Sequence, residues 1–95
     1  MYKLNPSPQA KAKLSELINS KYRKGIENKL EALEKDPSNL GKPIDNRPFG
    51  DYYINAGNRY AITYIVDENK KRVDILEVPR QEKLHKLLLD YKFPY

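Results

Sequence analysis

Residues 55–68 read NAGNRYAITYIVDE. A turn-forming quartet runs into a stretch that sets Tyr60, Ile62, Tyr64 and Val66 against Arg59, Ala61, Thr63 and Ile65, and this period of two predicts a strand entered from a hairpin turn. Working outward, GDYYI at residues 50–54 supplies the preceding strand. The polar DENKK turn and residues 72–78 supply the following one. The result is an antiparallel meander of three strands. In the last of them Val73 and Ile75 fall on one face and Leu76 and Val78 on the other, which implies cover on both sides at its far end. One residue does not match the rest, because Ala61 is small in a strand otherwise filled by large side chains.

Upstream the period changes to that of a helix. Ser7 followed by Pro8 is an entry signal, an oxygen to cap free N–H groups and a ring already set to helical φ. Ala10, Leu14, Leu17 and Ile18 then line one face. Gly25 interrupts a polar run, and Ile26, Leu30 and Leu33 resume the spacing until Asp36-Pro37 ends it. This predicts two helices, or one bent near residues 20–25. Residues 36–48, DPSNLGKPIDNRP, read as a loop. A last helix is expected after Pro79 and Arg80, with Leu84, Leu87, Leu88 and Tyr91 on one stripe, followed by the tail KFPY. The expected fold is α+β: a helical pair packed on a small antiparallel sheet, extended by a strand at residues 2–4, with a C-terminal helix.

Composition bounds the class. The 95 residues are expected to form one domain, 1–95, and 33% charged against 39% hydrophobic residues, with eight Tyr and two Phe, can support a packed core in a polar shell. The absence of cysteine removes disulfide scaffolds and thiolate metal sites, and His85 is the only histidine, so neither metal nor cofactor is expected. The start, MYKLNPSPQAKAKL, has prolines and lysines where a signal peptide needs an apolar run, and a cytoplasmic protein is the default expectation. A formal charge of +5 and a pI near 9.4 favour an anionic partner.

Taken together, the order of elements and several short motifs resemble the RelE/ParE toxin superfamily. Gly41-Lys42-Pro43, Gly50-Asp51-Tyr52, Gly57 with Tyr60, Tyr64 and Asp67, and the stretch Ile75 to Arg80 carry the likeness, which spans essentially the whole chain. The resemblance implies the toxin of a type II toxin-antitoxin pair, acting as a ribosome-dependent mRNA endoribonuclease that inhibits translation. In such enzymes the ribose 2′-oxygen attacks the neighbouring phosphate while cationic side chains stabilise the developing charge, a contribution of roughly 10²–10³ per donor. The family's usual arginine stands between the residues matched here by Tyr60 and Ile62, where this chain has Ala61. An engineered replacement and a natural divergence both account for it. The strand at residues 50–54 also lacks the lysines often found there.

Other residues are candidates for the missing roles. Arg59, on the face of Ala61 by alternation, and Arg80, at the end of the last strand, are candidate phosphate clamps, with a solvent-facing strand-start residue as the alternative for Arg59. His85 is the formal candidate for general acid or base, and a surface histidine beside the apolar stripe is the competing reading. The resemblance suggests a base-stacking role for Tyr91 or Tyr95, although Tyr91 also continues the core stripe. Lys11, Lys13, Lys21, Arg23 and Lys24 form a basic cluster suited to ribosomal RNA or an acidic antitoxin, or to a solvated helix face. In the long loop Lys42, a further candidate for RNA binding, and Asp45 could reach the mouth of the site, with a plain connector as the competing reading. The implied partners are a cognate antitoxin, the ribosome and mRNA. A second function, from a different class, is inhibition of DNA gyrase by a protein-binding poison, and a third is an orphan binding domain without activity.

Overall fold

The computed structural model describes the backbone of residues 1–44 and 51–92, with side chains through residue 86. Ser7 starts the first helix as expected: its Oγ accepts a hydrogen bond from the Ala10 amide at 3.1 Å, and Pro8 fills the first helical position of α1, Pro8–Leu17. The same hydroxyl donates to the Leu76 carbonyl at 2.6 Å, which ties the helix to the sheet. After α1 the chain turns at Ser20, whose Oγ donates to the Leu17 carbonyl and accepts from the Tyr22 amide. The helical segment is therefore two helices, and α2 spans Arg23–Lys35.

Pro37 stops α2 but begins a single helical turn, α3, Pro37–Leu40, and Lys42–Pro43 forms the two-residue strand β2. The predicted loop thus contains two short elements. It was not legible because β2 exists only through its pairing with β3, Tyr52–Ala56. Residues 45–50, which include Asp45 and the Gly50 of the expected first strand, lie outside the described set.

Strands β3, β4 (Tyr60–Asp67) and β5 (Arg72–Glu77) form the predicted meander. The turn between β3 and β4 is narrower than the NAGN quartet, since Asn55 and Ala56 are still in β3. It spans Gly57 to Arg59 between the paired Ala56 and Tyr60, with Gly57 and Asn58 both at positive φ (66° and 65°), a region that glycine and asparagine enter most readily. The N-terminal strand β1 is Lys3–Pro6 and runs parallel to β5, so the five-stranded sheet, in order β1-β5-β4-β3-β2, is mixed where an antiparallel one was expected. Helix α4, Gln81–Lys92, closes the described chain.

Direct cross-strand pairing places Ile54 opposite Ile62 and Ala56 opposite Tyr60. These residues, with Tyr64, Val73 and Ile75, pack against Ala10, Leu17, Ile26 and Leu33 of the two helices and form the core. Ile18 does not join the helical stripe: it caps the end of α1 and is 51% exposed. Ala61 and Thr63 occupy the opposite sheet face, where Asn55 and Tyr53 are their partners. Among the described residues no helix is long and apolar enough to cross a membrane.

Candidate functional site

The sheet face that carries Ala61 lies beside the start of α4. The Ala61 amide donates to the Pro79 carbonyl at 2.8 Å, the Gln81 amide donates to the Arg59 carbonyl at 2.8 Å, and Gln81 Nε2 donates to the Tyr60 carbonyl at 3.1 Å. Three hydrogen bonds therefore fasten the entry of α4 to β4. Ala61 has 0% exposed surface and Leu84 only 3%. Next to them is a cleft of about 230 Å³ lined by Tyr53, Asn55, Gln81, Leu84 and His85. Amide and hydroxyl groups dominate its polar lining, and His85 adds an imidazole.

The expected site residues do not converge on this cleft. His85 lines it and is exposed, whereas Arg80, also exposed, places Nη1 3.9 Å from Glu82 Oε1. Arg59 lies in a different cleft, near the β3–β4 turn. Ala61 is buried, so nothing at that position faces solvent in this fold. Tyr91 belongs to α4, but its side chain, like the whole of Tyr95, is outside the described residues.

The basic cluster of the first helical region is divided too. Lys13 pairs with Glu16 at 3.6 Å and Arg23 with Glu27 at 2.6 Å, while Lys11 and Lys24 are exposed. Lys42 is exposed on β2. Lys21 lines the cleft that contains Arg59, a space of about 790 Å³ between α2 and the β3–β4 turn. Its other charged residue is Lys29, and Asn28 and Asn58 add amides. Sequence reasoning missed Lys29, Asn28 and Asn58. Gly25, Asn28 and Lys29 share one face at i, i+3, i+4, and that spacing was the available signal.

Local packing explains how this cleft forms. Gly25 of α2 meets Gly57 of the turn so closely that a Cβ at residue 25 would stand 2.8 Å from the Gly57 Cα. A Cβ at Gly57 would in turn stand 3.0 Å from the Tyr22 carbonyl oxygen, a tight approach at a φ that side chains rarely adopt. The Tyr22 ring meets Tyr60 edge-on, centroids 5.3 Å apart, and anchors α2 over the turn.

A third cavity, about 240 Å³, opens between α1 and α2 and is lined by Leu14, Leu17, Ile18, Ile26 and Leu30 with the Arg23–Glu27 pair at its edge. Its lining is chiefly aliphatic, in contrast to both other clefts.

Comparison with known proteins places these features in a family. No curated protein sequence matches the chain. Solved structures do: the isolated RelE toxin of Escherichia coli is similar with a TM-score of 0.71 at 20% identity, over 92% of this chain and 99% of that one. The RelBE2 toxin-antitoxin complex of Mycobacterium tuberculosis is similar at 0.69 and 24% identity, over 84% and 98%. The intact E. coli RelBE toxin-antitoxin complex follows at 0.67 and 24%, over 83% and 95%. At these identities the likeness establishes the fold, that of RelE-like toxins. The family is established separately, because the model of the ParE toxin of the type II toxin-antitoxin system parDE matches residues 4–85, from β1 through the first turn of α4. With the five-stranded sheet, the helical pair and the meander all inside that match, the chain belongs to the ParE toxin family of type II toxin-antitoxin systems.

Proposed function

We propose that this chain is the toxin partner of a cognate antitoxin and that it acts by binding and inhibiting DNA gyrase, without cutting RNA. The observation that carries the reading is the complete burial of Ala61 where α4 is fastened to β4. Cleavage by a ribose 2′-oxygen needs donors aimed at the phosphate as its charge develops. The strand position where the resemblance puts such a donor holds a methyl group with no exposed surface. The cleft beside it offers His85 and neutral groups among the described residues. Inhibition by occupying a partner's surface needs only shape and charge complementarity.

Antitoxin recognition is supported by the apolar cavity between α1 and α2. It presents exposed Ile18 together with half-buried Leu14 of α1 and Leu30 of α2, an aliphatic groove that suits the apolar face of an amphipathic helix. The RelBE and RelBE2 structures are themselves toxin-antitoxin complexes. A ribosome-dependent ribonuclease is the second reading, favoured by the likeness to isolated RelE and by the exposed Arg59, Arg80 and His85.

One pair of assays separates them. Purified protein is added to DNA gyrase acting on relaxed plasmid, and to translating ribosomes whose mRNA 5′ ends are mapped. The proposal expects loss of supercoiling and intact mRNA. Codon-positioned cuts with unimpaired supercoiling would establish the ribonuclease instead.

A further inference from the structure

We propose that the cleft between α2 and the β3–β4 turn binds the phosphodiester backbone of duplex DNA. The choice of DNA rests on the gyrase reading; the phosphate chemistry rests on the cleft alone. Lys21, Lys29 and Arg59 line it, and no acidic side chain does so among the described residues. Five cations elsewhere on the chain are partnered instead. Lys13, Arg23, Lys71, Arg72 and Arg80 each stand within 4.0 Å of a carboxylate. The three cations of the cleft have no ion-pair partner among the described residues, and Lys21 makes only a contact with the Tyr22 ring, 5.5 Å from its centroid.

Like charges gathered in one cleft repel, so an entering anion relieves that repulsion as well as adding attraction. The guanidinium of Arg59 offers a fork that fits phosphate oxygens, the two lysines add point charges, and the amides of Asn28 and Asn58 are neutral donors of the kind that fix a backbone without reading bases. The walls are held by the Gly25–Gly57 approach and by Tyr22 on Tyr60, so the site is formed before the ligand arrives. A volume of about 790 Å³ admits more than one phosphate. A protein helix is the poorer occupant, because the aliphatic anchors it would need line the separate cavity between α1 and α2.

The test is fluorescence anisotropy with a labelled 12-base-pair DNA duplex and with single-stranded RNA of the same length, in the absence of gyrase. The double variant Lys29→Glu/Arg59→Glu is compared with Lys70→Glu/Lys83→Glu, which changes the net charge equally on exposed positions outside the cleft. Thermal melts accompany both, and Lys29→Gln/Arg59→Gln replaces the first pair if it does not fold. The cleft pair is expected to weaken duplex binding about tenfold or more and to lower the slope of log K against log salt by about 2, one per lost phosphate contact. The control pair is expected to stay within about twofold of the parent at the same salt. Equal weakening by both pairs, or none by the cleft pair, would overturn the proposal. So would binding of RNA alone, or binding of labelled polyglutamate by a protein that binds no DNA, which would assign the cleft to an acidic polypeptide. Because gyrase is absent, failure here leaves gyrase inhibition to the supercoiling assay.

Discussion

Ala61 presents a single methyl group to a closed environment, and its amide is already committed to the Pro79 carbonyl. Replacement by arginine must either bury a guanidinium or lift the entry of α4 from β4. Overpacking alone typically costs about 1–3 kcal/mol, and for a domain of this size each kcal/mol lowers Tm by about 4–8 °C. Ala61→Arg is therefore expected to melt earlier and to leave ribosome-bound mRNA uncut, as read by thermal denaturation and 5′-end mapping. A variant as stable as the parent that cuts mRNA would mean that the side chain reaches solvent, and would restore the ribonuclease reading. Three positions along the same strand, Tyr64 faces the core instead. Its hydroxyl donates to the Pro37 carbonyl at 2.7 Å, and its ring stacks on Tyr52, centroids 5.5 Å apart. Burial pushes the Tyr64 phenol well above the ordinary tyrosine range, and the neighbouring Tyr52 adds to the effect. The unfolded chain thus releases this proton first, so the stabilisation is complete below about pH 10 and is lost as pH rises beyond it. Tyr64→Phe is expected to be less stable at neutral pH by about 1–3 kcal/mol, because the Pro37 carbonyl loses its donor. The gap between parent and variant should shrink above about pH 10 in denaturant titrations; a gap independent of pH would rule out this linkage.

At the scale of elements, what was legible in the sequence is what local chemistry decides. Ser7-Pro8 starts α1, the Pro37 ring ends α2, and the alternation from Tyr60 to Val66 makes β4, each through contacts a few residues away. What was not legible depends on distant partners. The parallel pairing of Leu4 with Val73 joins residues 69 apart in number, and it turns an expected antiparallel sheet into a mixed one. Likewise the two residues of β2 carry no strand pattern of their own and are a strand because Tyr52 and Tyr53 pair with them. The candidate site shares this limit. Arg59 is a candidate phosphate clamp by its type and its place in the strand, but its neighbours Lys21 and Lys29 come from elements around α2 that only the fold brings to the turn. Ser7 belongs to both categories, since its hydroxyl caps α1 and also reaches the Leu76 carbonyl in β5. Ser7→Ala removes both bonds. Loss of the cap alone typically costs about 1 kcal/mol, so Ser7→Ala is expected to lose about 1–2 kcal/mol in urea unfolding. Ser7→Asp, which restores an acceptor for the Ala10 amide but cannot donate to Leu76, should recover only part of it. Full recovery by Asp would show that the tie to β5 contributes nothing.

Among the described residues, three of the clefts differ in chemistry: an aliphatic cavity between α1 and α2, a basic cleft where α2 meets the β3–β4 turn, and a mainly neutral cleft beside α4. A ribonuclease would need its proton-transfer group and its cations in one place, because both must meet the same phosphate. Here His85 belongs to the third cleft and Arg59 to the second. A toxin that works by occupancy can keep them apart, and it then has no use for a general acid or base. This gives the molecule's mode of action a direct readout in His85→Ala. His85 is exposed, and surface changes of this kind usually shift stability by no more than about 0.5 kcal/mol, so the folded protein is preserved. Produced from an inducible promoter in bacteria without the antitoxin, the variant is expected to arrest growth as the parent does, with the same DNA-damage response and the same loss of gyrase supercoiling in purified assays. Growth restored by His85→Ala, in a protein whose melting temperature is unchanged, would instead mean that the imidazole handles a proton. Codon-positioned mRNA cleavage by the parent that is lost in the variant would then identify that step.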